Sequence, residues 1–382
     1  MQQQELRTNI LKKFGATSSD IAELLTYNEN IFESDKWQYS QTLPTTPEAY
    51  IAAWEQYVIE AEKIGAYKVL RQVLIQLNFP ILPGISKTEA YLAATRRGKL
   101  TNIINNCPGL ILNEPETLRI KIHQTLSGLI PVIIISNRQD FLALVQAITK
   151  RNEPEPIPDS MGACIVSGYN NWNRIYQYKK QWQIQDNNLQ SEWSSEFKRL
   201  ITRKELYQDK FILLSTGAYS NVPANQLGLT EAEWQQLSFK IRLEHESTHY
   251  FTRRFFGSMR NNLLDELIAD YRGIVAAIGN YRADWFLHFI GLESFPNYRR
   301  GGRLENYRGE PPLSDGAFKI IQALLVNAAK NLENFDRQFG VKSRTVADEV
   351  ATLVALSKVT LEELAFQQLT LNRNNVIHSK GD

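Results

Sequence analysis

Apolar positions along the chain change period twice, marking a helical start, a middle that carries strands and a helical second half. From Pro47 the apolar set Tyr50, Ala53, Trp54, Tyr57, Val58 and Ala61 recurs at helical spacing up to Gly65. Pro47 is expected in the first turn of that helix, where its missing N–H costs nothing. Ser86-Lys-Thr-Glu89 has the form of a capping box and predicts a second helix, ending near Gly98. Residues 1–45 read as helical pieces with a polar, aromatic-bearing loop, and no chemistry is recognisable there.

From Gly109 the period shortens. Leu110–Leu112, Leu118–His123 and Ile130–Ile135 read as strands, separated by Asn-Glu-Pro-Glu and Ser-Gly turns. A helix is predicted over 139–150. The stretch 152–158, with three prolines, is the most linker-like and marks a candidate domain boundary; a loop within one continuous domain is the alternative. Beyond it Ala163–Ser167, Arg174–Trp182 and Phe211–Ser215 read as strands. Helical patterns then occupy 231–256, 262–279, 283–290, 315–339 and 345–366. The pattern as a whole predicts an α+β protein, with an N-terminal α/β region over 1–151 and a second domain over 159–382.

Composition narrows the function classes. Of 382 residues, 43% are hydrophobic and 22% charged, which is ordinary for a soluble globular chain. The net charge of +2 gives no global attraction to nucleic acid or to an anionic membrane, so neither is expected as a partner. The start of the chain has no basic-then-apolar pattern, and the longest apolar run, Leu129–Ile135, is far too short to span a bilayer. Cys107 and Cys164 form no Cys-x-x-Cys pair and read as small core residues of a reducing compartment, so the cytoplasm is the expected location. No Walker A or Gly-x-Gly-x-x-Gly sequence occurs.

One stretch carries chemistry. His245-Glu-Ser-Thr-His249 lies inside a predicted helix that starts at a Thr230/Glu233 capping box and closes at Gly257. Residues four apart share a helix face, so His245 and His249 can hold one metal ion. Glu246, about 100° further round the helix, stands where a general base for water at that ion belongs. A third protein ligand is needed, with a fourth position left open. Thr252 and Phe255 occupy the positions where a metzincin would have its glycine and third histidine, which excludes that variant. Downstream, Glu266 and Asp270 are again four apart on one helix. Asp265, beside Glu266, is expected in a solvated or capping role. Glu246-x-x-His249 has no second Glu-x-x-His partner, which removes a di-iron carboxylate reading.

His245-Glu-x-x-His249 followed by Glu266-x-x-x-Asp270 resembles the gluzincin zinc metallopeptidases, over about residues 241–273. The resemblance implies a zincin-like C-terminal half, with zinc held by His245, His249 and Glu266. It also implies Glu246 as the residue that activates water, Asp270 in support of a ligand histidine, and a peptide or amide as substrate. The strands at 163–215 would then pack on the motif helix and offer an edge to an extended substrate. His288, Tyr271 and Tyr298 are candidate donors to a tetrahedral oxyanion. Arg299, Arg300 and Arg303, in a flexible basic loop, are candidate clamps for a substrate carboxylate, with a solvated loop as the alternative. Arg242, Arg253 and Arg254 are expected on the outer face of the motif helix. The loops Ser160–Ala163 and Gly168–Trp172 are candidates to line a cleft. The competing class is a non-catalytic protein whose histidine pair, or metal, is structural. Oligomeric state is not legible.

Overall fold

The computed structural model describes residues 2–37, 45–99, 108–185, 192–259, 262–339 and 345–366; Cys107 lies outside them. In chain order the helices are α1 (Gln2–Lys13), α2 (Ser18–Tyr27), α3 (Ile51–Ile64), α4 (Ala66–Val73) and α5 (Glu89–Arg97). Strands β1 (Arg119–Thr125) and β2 (Gly128–Ile135) precede α6 (Arg138–Thr149) and β3 (Ala163–Asn170). Next come α7 (Trp172–Gln185), α8 (Trp193–Leu200) and β4 (Gln208–Ser215). The chain continues as α9 (Glu231–Phe255), α10 (Asn262–Ile278), α11 (Ala283–Ile290), α12 (Asp315–Phe339), α13 (Val346–Ser357) and α14 (Leu361–Phe366). The protein is mixed α+β. No helix among the described residues is long and apolar enough to cross a membrane, and the run Leu129–Ile135 is part of β2.

Two compact units divide the chain, but not at the prolines: Thr45–Gly217 forms one, and Met1–Pro44 with Ala218–Asp382 the other. The stretch 152–158 joins α6 to β3 inside the Thr45–Gly217 unit. It is tied down by side chains. Asn152 Nδ2 donates to the carbonyls of Gln76 and Phe79, and Glu153 accepts from the N–H groups of Gly84 and Ser86.

The sheet of this unit has the order β1-β2-β4-β3, antiparallel at both outer pairs and parallel between β2 and β4. The parallel pairing starts at Val132, directly after Pro131, which has no N–H to give to a ladder. Trp54, Ile133, Phe141, Leu144 and Phe211 build the core between the sheet and its helices. Leu110 and Leu112 are buried there while Ile111 is exposed, yet this segment forms no strand. Pro47 precedes α3 instead of lying in its first turn, and Thr88, rather than Ser86, caps α5.

Arg174–Trp182, expected as a strand, is helix α7. Asn171 begins it by accepting from the N–H of Arg174, and the set Trp172, Ile175, Tyr178 and Trp182 then follows helical spacing. Arg174 is drawn inward to Asp209 at 2.6 Å, where Trp54 Nε1 and Asn171 Nδ2 also donate. Tyr169 is buried, donating to Gln76 and accepting from the N–H of Ile75, so within the stretch Gly168–Trp172 this tyrosine belongs to the core, while Gly168 and Asn170 are exposed.

The other unit is helical and centres on α10. Leu263, Leu264, Leu267, Ile268, Tyr271, Ile274 and Val275 cover several sides of that helix, and all are buried. A helix apolar on most sides must sit inside. Its close neighbour is α9, and Gly273 sets their distance: a Cβ there would stand 2.7 Å from the Ile241 carbonyl oxygen. Gly273→Ala is therefore expected to destabilise by about 1–3 kcal/mol despite alanine's better helix propensity, because the obstructing atom is backbone. A urea midpoint unchanged from wild type would contradict that packing account. Residues 1–37 belong to this unit as well. Trp37 packs edge-on against Phe255, 4.8 Å between ring centroids, at the end of α9.

Candidate metal centre

Helix α9 holds the two histidines rigidly for local reasons. Thr230 Oγ1 accepts from the N–H of Glu233, and the Glu233 carboxylate accepts from the N–H of Thr230. Gly257, in the left-handed region at φ 74°, follows the last turn. Between these ends Trp234, Ile241, His245, Thr248 and Thr252 bury one stripe. His245 and His249 fall on the part of it that meets α10. That helix contributes three carboxylates, Asp265, Glu266 and Asp270, all of them buried.

The histidines and Glu266 form a cluster able to hold a metal ion. His245 Nε2 and His249 Nε2 are 3.0 Å apart. Glu266 Oε2 is 3.6 Å from the first and Glu266 Oε1 3.4 Å from the second. The opposite ring nitrogens are already engaged. His245 Nδ1 lies 2.8 Å from Asp270 Oδ1, and His249 Nδ1 lies 3.0 Å from Asp265 Oδ2. Carboxylates there fix Nδ1 as the protonated position, so both Nε2 lone pairs aim into one small space. Glu266 Oε2 is buried at its edge without a hydrogen-bond partner. Two lone pairs and a carboxylate converging in this way repel one another unless a cation lies between them. The proton affinity of His249 expresses the same demand. Burial alone would lower it, but Asp265 and Glu266 raise it well above the usual imidazole value. Burial opposes the charge on Glu266 too; His249, His245 and Arg303 outweigh it and hold that carboxyl well below its usual range.

A second layer fixes the first. Asp270 Oδ1 accepts from His245 Nδ1 and from the Tyr219 hydroxyl, and Arg303 Nη2 donates to Asp270 Oδ2. Arg303 Nη1 donates to the Tyr219 hydroxyl at 2.9 Å. The order of donation is thus Arg303 to Tyr219 to Asp270, with His245 feeding the same carboxylate. Burial would raise the Asp270 pKa, and the Arg303 and His245 charges lower it below its usual value. Tyr219 stands in a short 3-10 turn, Tyr219–Asn221, whose N–H donates to Ser238 on α9. Around His249, Asp265 also accepts from Thr252 Oγ1. Burial, followed by the charge of nearby Glu266, pushes the Tyr307 phenol well above its usual pKa. The Tyr27 hydroxyl of α2 donates to the Tyr307 carbonyl.

Glu246 is one residue from His245 and stands outside the three-donor cluster. Burial raises its proton affinity, while the nearby His245 and His249 lower it; burial wins. A buried carboxyl beside the cluster can accept a proton and return it.

A family model matches residues 9–368, which include every one of these positions. The chain belongs to the DUF7005 family. That family is described as one of unknown function, and no curated protein and no solved structure matches the chain.

In this DUF7005 chain the structure brings His245, His249, Glu266 and Asp270 together and leaves several other sequence candidates elsewhere. The Tyr271 hydroxyl donates to Asp336, which also accepts from the N–H of Tyr281. Tyr298 donates to the Gly302 carbonyl and braces its own loop. His288 is half-buried on α11, and no hydrogen bond of the cluster reaches it. Arg299 is spent on Glu293 and on the His288 carbonyl, and Arg300 is exposed. The basic loop is therefore folded back and braced, with the effect of delivering Arg303 inward. Gly302 permits this, since a Cβ there would stand 2.7 Å from the Ile290 carbonyl oxygen.

Arg242, expected on the outer face of α9, is buried and donates to the Ala218 carbonyl. Asp265 is not solvated; it orients His249. Tyr219, Tyr307 and Thr252 were invisible as site residues, since none belongs to a spacing that imidazole or carboxylate chemistry dictates. The four strands lie in the Thr45–Gly217 unit and the motif helix in the other.

Proposed function

We propose that this protein is a zinc-dependent hydrolase of the gluzincin kind that cleaves a peptide or amide bond, with α9 and α10 as its zincin-like pair. The observation that carries this reading is the convergence of His245 Nε2, His249 Nε2 and Glu266, each histidine held from behind by its own carboxylate. A tetrahedral zinc with bonds of about 2.0–2.2 Å needs donors about 3.3–3.6 Å apart. Separations of 3.0, 3.6 and 3.4 Å reach that spacing with a shift of a few tenths of an ångström between the two rings. The donor set, two neutral imidazoles and one carboxylate, suits zinc and leaves one position open.

Zinc held there would supply Lewis acidity, making a water acidic near pH 7 and polarising the scissile carbonyl. The remaining work falls to the chain. Glu246 accepts a proton from the attacking water and gives it to the departing nitrogen as the C–N bond breaks, so the carboxylate is regenerated. Asp265 and Asp270 keep the Nδ1 protons in place and the Nε2 lone pairs aimed inward.

Metal analysis of the purified protein tests this reading. About one zinc per chain is expected, with hydrolysis of a peptide library abolished by a chelator and restored by added zinc. Protein purified without metal, and unable to bind zinc, would remove the proposal. Zinc without hydrolysis of any peptide would favour a metal that only ties α9 to α10.

A further inference from the structure

The Thr45–Gly217 unit carries a cavity of about 640 Å³ unrelated to the metal-ligand cluster, between the end of α5 and the helices α7 and α8. Its floor is aromatic. Trp172 and Ile175 belong to a small core with Phe79, Tyr91, Leu200 and Tyr207, which anchors the floor against collapse. Trp172 Nε1 donates to the Thr95 carbonyl, and the Tyr176 hydroxyl donates to the Gly98 carbonyl. Gly98, at φ 66°, makes that approach possible: a Cβ there would stand 2.5 Å from both the Trp172 ring and the Tyr176 hydroxyl. Trp193 and Phe197 of α8 continue the aromatic lining, their ring centroids 5.8 Å apart, with Phe197 stacked on Trp172 at 6.2 Å.

The rim is cationic. Arg96, Arg97 and Lys99 flank Gly98, and Lys179 lies 5.2 Å above the Trp193 ring. Among the described residues Arg97 pairs with the exposed Glu89, and no carboxylate pairs with Arg96, Lys99 or Lys179. Three cations without a carboxylate partner among the described residues, with Arg97 beside them, next to a surface of aromatic side chains match a ligand with two ends, one planar and one multiply anionic. Arginine and lysine serve phosphate, and indole and phenol rings serve a flat heterocycle. The volume falls in the range of small-molecule sites, about 300–1,000 Å³.

We propose that this cavity is a nucleotide site, with the base against the Trp172–Tyr176–Trp193 aromatics and the phosphates on Arg96, Arg97 and Lys99. The aromatic lining makes the base, and not phosphate alone, part of the recognition.

Titration calorimetry of the full-length protein with ATP, AMP, inorganic phosphate and a short oligo-dT tests it, with tryptophan fluorescence as a second signal. Saturable binding of ATP is expected, tighter than AMP, and inorganic phosphate should bind too weakly to saturate. Arg96→Ala with Lys99→Ala, two exposed positions whose loss leaves the core intact, should weaken ATP about tenfold or more. Trp193→Ala should weaken ATP and AMP alike. Glu246→Gln should bind ATP as wild type does, which keeps this site separate from the metal centre. No saturable binding of any nucleotide, or equal affinity in the Arg96/Lys99 variant, overturns the proposal. Oligo-dT binding far tighter than ATP overturns it as well, in favour of a single-strand surface.

Discussion

Glu246→Gln is expected to keep zinc and lose about 10²–10⁴-fold in peptide hydrolysis. The substitution is nearly isosteric and leaves His245, His249 and Glu266 untouched, so metal content should match wild type. The amide cannot accept the water's proton, and nothing else in the cluster is free to do so. Asp265 and Asp270 are committed to His249 and His245, and Glu266 is itself in the donor set. Folding should not suffer. Burial already disfavours the charged form of Glu246, and a neutral side chain of the same size relieves that cost. Paired measurements of zinc stoichiometry and turnover on one peptide substrate decide the matter. Equal turnover in the variant would take Glu246 out of the chemistry even if zinc is present. Loss of zinc together with turnover would mean that the carboxylate is a ligand.

The parts of this centre that were legible in the sequence are those that helix geometry writes into spacing. His245 with His249, and Glu266 with Asp270, are pairs four residues apart, and such a pair needs no tertiary information to be seen as one face. The capped ends of α9 are equally local. Illegible residues are those whose role depends on which helix packs against which. Asp265 reads as surface because acidic residues are seldom buried without a partner, and its partner, His249, is on another helix. Tyr219 comes from a turn 26 residues before His245, and Arg303 from a loop that looked flexible because Arg299-Arg-Gly-Gly-Arg303 is rich in charge and glycine. In the folded chain those glycines serve a close approach of backbone instead. The misread strand at Arg174–Trp182 has the same origin. Alternating Tyr, Gln and Lys fits period two as well as period three to four, and the inward pull of Asp209 on Arg174 decides for helix. The proline-rich stretch 152–158 reads either as a linker or as a loop within one domain, and the choice is not local: Asn152 and Glu153 tie it to the backbone around Gln76–Ser86, inside the Thr45–Gly217 unit.

Arg303→Met should be the most destabilising single change at the metal centre, at about 3–5 kcal/mol. The guanidinium is buried and serves three oxygens, those of Asp270, Tyr219 and Ser220, with Glu266 at 3.7 Å. Methionine fills much of its volume but returns no charge. Asp270 would then face His245 and Tyr219 with its second oxygen stranded, while Glu246, Asp265 and Glu266 add further negative charge nearby. Arg303→Lys keeps the charge but not the fork that reaches Asp270 and Tyr219 together, so it should fall between wild type and Met. Zinc should recover part of the lost stability, because a divalent cation beside Glu266 offsets the charge that the arginine no longer balances. Urea midpoints measured with and without zinc for the three proteins separate this account from the alternative in which Arg303 clamps substrate. A substrate clamp would leave the midpoints of all three equal and raise KM alone. A buried counter-ion lowers the midpoint in the order Arg, Lys, Met before any substrate is added.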